Sequence, residues 1–247
     1  EIQKEEHRIK KEPPKAVEKK KTVEKKPETP EKKIIEKKRE QKGGPTKEEV
    51  IGKRVESIPA DEVRITYFVH GTTTDNEKDL ATGWNPGELS GKGIQQSKEL
   101  WERIKDRPFE VVFCSDLKRA VDSAHLTFGK RIAILEDQRI RECNYGEWNG
   151  REARLFKSKL TEYIHKPFPS GEGYTQVERR IADFLNYLYD NYRGKHIAIV
   201  AHQAPQLAME VLLKGKTWEQ AIQEDWRLRK AWQPGWEYKI PQKIILL

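Results

Sequence analysis

Short apolar runs alternate along this chain with longer stretches in which apolar residues recur every third or fourth position. The first pattern fits strands buried on both faces, and the second fits helices that bury one face. Val63–Val69, Val111–Cys114, Ile132–Leu135 and Ile197–Ala201 read as strands. Gly93–Lys105 reads as an amphipathic helix with Ile94, Leu100, Trp101 and Ile104 at helical spacing. Asp116–Thr127, Glu152–Ile164 and Tyr174–Tyr192 read as further helices, and Pro205 fits the first turn of one that runs on to Leu213. Strand-helix alternation of this kind predicts an α/β fold, a three-layer α/β/α domain with a mainly parallel sheet. The tryptophan-rich stretch from Trp218 to Tyr238 is read as packing rather than as a binding surface.

The periodicity is absent from residues 1–58. That segment is rich in Lys, Glu and Pro and has no aromatic residue before the globular pattern begins. It cannot bury enough apolar surface to offset chain entropy, so disorder is expected there. Residues 1–50 hold 17 Lys+Arg against 12 Asp+Glu and account for +5 of the net charge of +8. A tail of this charge suits a weak electrostatic partner. The intermixing of lysine with glutamate favours a solvated tail or linker. Residues 59–247 hold all seven tryptophans and suit one domain. Two cysteines, Cys114 and Cys143, make neither a disulfide framework nor a metal cluster. No stretch reads as a membrane span or signal peptide, so a cytoplasmic location is the default. The first residue is Glu, which leaves open a segment ahead of it.

Two histidines follow apolar runs directly: His70 after Ile65-Thr66-Tyr67-Phe68-Val69, and His202 after Ile197-Ala198-Ile199-Val200-Ala201. Residues just past the C-terminal ends of parallel strands lie where open α/β sheets bind ligands. A pair of them is suited to one phosphate-sized site.

The surrounding residues resemble the histidine phosphatase superfamily (phosphoglycerate mutase-like) from about Arg64 to Met209. His70-Gly71-Thr72-Thr73 sits where that family has His-Gly-x-Thr, with Asn76 following. Leu89-Ser90-Gly91-Lys92-Gly93-Ile94-Gln95-Gln96, Cys114-Ser115-Asp116-Leu117-Lys118-Arg119-Ala120, Arg141-Glu142 and Ala201-His202 come next, in the family's order. The resemblance implies a phosphoglycerate mutase-like fold and phosphoryl transfer through a phosphohistidine on His70. It implies that His202 and Arg119 contact the phosphoryl oxygens and that Glu142 is the general acid. Thr73, Asn76, Thr82, Gly83 and Gln203 become candidate phosphate or substrate contacts. No metal and no cofactor is expected, because Arg119 and the two histidines supply the charge. The expected partner is a small phosphorylated substrate, and the oligomeric state is not legible.

The chain departs from the family in three places. Val69 stands where an arginine precedes the first histidine. Loss of one donor to a transition state typically costs about 10²–10³ in rate, and loss of a neighbouring cation favours a protonated His70. Arg139, Arg141 and Lys118 are candidates to compensate. Gln203 replaces a usual glycine, and Gly171-Glu172-Gly173 replaces Gly-Glu-Ser. The segment from Gly150 to Gly171 is short for a mutase cap, which places metal-independent phosphomonoester hydrolysis first. Mutase-type transfer, or a phosphate-binding pseudo-enzyme, is the alternative.

Overall fold

The computed structural model describes residues 57–246, so most of the tail expected over 1–58 lies outside the described residues. Five strands form one sheet: β1 (Val63–Val69), β2 (Val111–Cys114), β3 (Ile134–Glu136), β4 (His196–Ala201) and β5 (Trp236–Ile240), in the order β3-β2-β4-β1-β5. The pairs β1–β4, β2–β4 and β2–β3 are parallel, and β5 runs antiparallel along the outer edge of β1.

The strands read as apolar runs because both faces of the sheet are covered. Along β4, Ile197, Ile199 and Ala201 join one buried cluster and Ala198 and Val200 the other. The first cluster includes Val177, Ile181, Phe184 and Leu185 of α4 (Tyr174–Asn191) and Ala204, Leu207 and Ala208 of α5 (Gln203–Lys214). The second includes Ile104 of α2 (Gly91–Ile104) and Ala124 and Phe128 of α3 (Lys118–Phe128). Helices on both faces make the three-layer α/β fold that the alternation predicts. Shorter helices α1 (Thr74–Glu77), α6 (Trp218–Gln223) and α7 (Trp226–Arg229) lie in the connections.

Three segments differ from the sequence reading. The third strand begins two residues later than Ile132. Glu152–Ile164 is not one α-helix but two 3₁₀ segments, Ala153–Leu155 and Lys157–Tyr163. The helical spacing is real, since Ala153, Phe156, Leu160 and Ile164 are all buried. Phe156 breaks the run, however, with φ −137° and ψ −9°. Its ring packs in a cluster with Tyr145, Trp148 and Phe168, and Ala153 N–H is tied to Asp79 O at 2.9 Å. Finally, the Trp218–Tyr238 stretch contains a strand start, β5, with Trp236, Tyr238 and Ile240 buried and Glu237 and Lys239 exposed.

Candidate functional site

The register of the central strands builds the site. Val69 of β1 pairs with Ala201 of β4, so His70 and His202 leave the sheet side by side. The chain after β1 leads toward the face of α2, and the chain after β4 enters α5 on the opposite face. That divergence opens the crevice in which doubly wound sheets bind ligands. The two imidazole centroids are 5.0 Å apart. Both rings line a cavity of about 650 Å³, together with Arg119, Glu142, Asn76, Thr82, Gly83 and Gln203.

His70 is held in one tautomer. Its Nδ1 lies 2.8 Å from the carbonyl oxygen of Gly71, which can only accept. Nδ1 therefore carries the proton, and the Nε2 lone pair is free. The backbone at Gly71 is tightly enclosed. A Cβ there would stand 2.4 Å from Gly93 O, and one on Gly93 would stand 2.0 Å from Thr72 O. The N-terminus of α2 thus sits directly on the loop that follows β1. Gly71 N–H also donates to Ser123 Oγ of α3 at 3.0 Å.

His202 is fixed through its backbone. Tyr67 Oη donates to its carbonyl at 2.6 Å and accepts from its N–H at 2.9 Å. Its ring is almost fully buried, and neither ring nitrogen has a hydrogen-bond partner. Buried polar atoms are nearly always paired, so a facing pair of open nitrogens marks a place for a ligand.

Burial lowers the His70 pKa to about 3, helped by the charges of Arg119 and Arg227, while the Gly71 bond opposes them. His202 is pushed well below its ordinary value, first by burial and then by Arg119 and His70. Replacing the family's arginine by Val69 therefore does not leave His70 protonated. The folded-state value lies below the ordinary one of about 6.5, so below that pH the unfolded chain takes up protons that the folded site refuses. Stability is accordingly present above about pH 6.5 and lost as pH falls toward 3, by up to ~1.4 kcal/mol per pH unit for each such histidine. Urea unfolding between about pH 7 and pH 5 is expected to show this slope and to show it flattened in His70→Ala.

Arg119 lies in the first turn of α3 and is only 2% exposed. Nη2 donates to Gly83 O at 2.7 Å and Nη1 to Asn85 O at 3.2 Å, which orients the fork over the cavity. Gly83 adopts φ +55°, and a Cβ there would collide with Asn149 Oδ1 at 1.8 Å. Glu142 sits at the start of α5. Its Oε1 accepts from Cys143 N (2.8 Å) and Ala204 N (2.9 Å), and its Oε2 from Gln203 N (3.1 Å). It supplies the cap that His202, the N-cap residue, does not provide.

The remaining candidates divide. Asn76, Thr82, Gly83 and Gln203 line the cavity, whereas Thr73 does not and instead caps α1 by accepting from Asn76 N at 3.0 Å. Gln203 Nε2 donates to Asp225 Oδ2. The three cations proposed to stand in for the missing arginine are engaged elsewhere. Arg139 is paired with Asp137, Arg141 with Asp116 at 2.5 Å, and Lys118 with Glu88 and Asp122. None of them lines the cavity.

Sequence reasoning missed two arginines. Arg227 of α7 lines the cavity from the tryptophan-rich stretch read as packing; there Trp218 and Trp236 are buried, but Trp226 and Trp232 face the cavity. Arg180 of α4 donates to the carbonyls of Arg139 (2.6 Å), Arg141 (2.8 Å) and Glu142 (3.0 Å) and pairs with Glu172. Four helical residues before Phe184, it is unremarked in sequence because its partners lie about 40 residues upstream in a loop. Arg180→Ala is expected to cost about 2–3 kcal/mol in denaturant unfolding, because three partly buried carbonyls lose their donor together.

Among the described residues, no group of three or more His, Cys, Asp and Glu is placed to hold a metal ion. No helix among them is long and apolar enough to cross a membrane.

The chain is similar to the adenosylcobalamin/alpha-ribazole phosphatase of Salmonella typhimurium, 29% identical over 150 residues that span 57% of this chain and 74% of the relative. It is similar to phosphoglycerate mutase-like protein 4 of Arabidopsis thaliana, 29% identical over 60% of this chain and 70% of that protein. The crystal structure of the alpha-ribazole phosphatase from Shigella flexneri superposes with a TM-score of 0.56 at 27% identity, covering 64% of this chain and 83% of the other. The sequence pattern of the histidine phosphatase superfamily (branch 1) matches residues 67–225, so the chain belongs to that superfamily.

Proposed function

We propose that this protein hydrolyses small phosphomonoesters through a phosphohistidine on His70. The observation that carries the reading is the Nδ1 bond to Gly71 O, which leaves Nε2 unprotonated on a residue that lines the cavity. In the first step the Nε2 lone pair forms a bond to phosphorus as the ester P–O bond breaks. The leaving oxygen takes a proton from Glu142. A carboxylate offers about four lone-pair sites. Two on Oε1 and one on Oε2 accept backbone N–H groups, so the transferable proton belongs on Oε2. In the second step water attacks phosphorus and gives its proton to Glu142, and the N–P electron pair returns to Nε2. The products are the alcohol and inorganic phosphate. Arg119 and one N–H of neutral His202 meet the equatorial oxygens, where charge accumulates.

The cavity lining also includes apolar residues, Leu80, Leu100, Phe156, Leu160 and Trp226 among them, beside the Lys157–Asp79 ion pair. Such a lining suits the organic part of a monoester better than a second phosphate. A panel of phosphomonoesters, assayed for released phosphate with EDTA present and, for 3-phosphoglycerate with its bisphosphate, for interconversion, tests the reading. Phosphate release with EDTA present is the expected result. Interconversion outrunning release would overturn it in favour of a mutase.

A further inference from the structure

We propose that Arg227 is the second arginine of the phosphoryl site and occupies, from the C-terminal part of the fold, the role left empty by Val69. The assignment rests on the phosphohistidine reading above and adds a substrate contact to it.

The need is electrostatic. A phosphomonoester carries a charge of about −1.5 to −2 near pH 7, and both histidines facing it are neutral. Among the described residues that line the cavity, the arginines are Arg119 and Arg227 and the one lysine is Lys157. The Lys157 side chain is 60% exposed, so solvent screens its charge, whereas that of Arg227 is 26% exposed. Arg119 alone leaves the dianion undercompensated beside two neutral imidazoles.

Arg227 has the required geometry. Its Nη1 donates to Asp225 Oδ1 at 2.9 Å and its Nη2 to Gln206 Oε1 at 3.3 Å, while its guanidinium lies 4.4 Å from the Trp226 ring centroid. A guanidinium offers about five N–H groups, so the Nε proton and one on each Nη remain for a ligand. The Asp225 side chain is 2% exposed, and its second oxygen accepts from Gln203, the residue after His202. One buried carboxylate therefore ties Arg227, which lines the same cavity as the two histidines, to the start of α5. The Arg227 charge also helps to hold both imidazoles neutral. This arrangement explains Gln203 as well: its amide holds Asp225 where a glycine could not.

The test compares Arg227→Gln and Arg227→Lys with wild type in kcat, KM and affinity for inorganic phosphate measured by competition. Thermal melting reports folding, and Lys, which keeps the Asp225 ion pair, serves as the second variant should Gln unfold. Arg227→Gln is expected to lose about 10²-fold in kcat/KM and at least about tenfold in phosphate affinity. Arg227→Lys should fall between Gln and wild type, because it keeps the charge and loses the fork. Wild-type phosphate affinity in folded Arg227→Gln, or in folded Arg227→Lys where Gln does not fold, would overturn the assignment and leave the arginine a purely structural partner of Asp225. His70→Ala is run in parallel. Turnover that persists there would sink the phosphohistidine reading, while phosphate affinity would still report on Arg227.

Discussion

His70→Ala is expected to reduce phosphomonoester turnover by at least about 10³-fold, with the fold intact. The one hydrogen bond of the ring is to the adjacent Gly71, so removing it leaves no distant partner unsatisfied. The loss therefore falls on chemistry rather than on stability. Because His70 has its pKa near 3, turnover should show no acid limb near pH 6.5 once the substrate's own ionisation is allowed for. Steady-state kinetics between about pH 5 and pH 8 check this. A limb near 6.5 that disappears in the variant would mean that the site holds an ordinary, protonatable histidine.

Arg119→Ala carries the second large effect, and here chemistry and stability fall together. Removing one preorganised donor to the developing charge is expected to lower kcat by about 10²–10³-fold. The same change strips the carbonyls of Gly83 and Asn85 of their donor and empties a side-chain volume in a buried place. A further loss of about 2–4 kcal/mol in urea unfolding is expected. Arg119→Lys separates the two. It keeps a cation but cannot span both carbonyls and a phosphoryl group, so stability should recover more than kcat. Equal recovery of both would show that the fork plays no part in catalysis.

The central part of the fold and site was legible because local pattern and global position coincide there. The runs ending at Val69 and Ala201 are apolar throughout since both faces of β1 and β4 are covered, and parallel pairing then brings the two following histidines together. Arg119 and Glu142 could be named from the order of short motifs. What sequence could not show is which side chains arrive from far along the chain. Arg227 meets Gln206 and Asp225 meets Gln203 only after α6 and α7 have turned back over the crevice. Arg180 reads as one more charge on a helix until the loop through Arg139, Arg141 and Glu142 wraps onto it. The stretch from Glu152 to Ile164 shows a subtler limit. Its spacing reported correctly which residues are buried, but tertiary ties at Ala153 and Phe156 decided the backbone hydrogen bonding. The edge strand β5 has the alternation of a half-buried strand, obscured by its place at the end of a tryptophan-rich segment.

The most direct test is to mix the protein with a hydrolysable phosphomonoester, quench in base, and locate covalently bound phosphate by mass spectrometry. The account predicts one acid-labile phosphoryl group per chain, on His70, and none in His70→Ala. Phosphate on another side chain, or undiminished hydrolysis by His70→Ala, would contradict it.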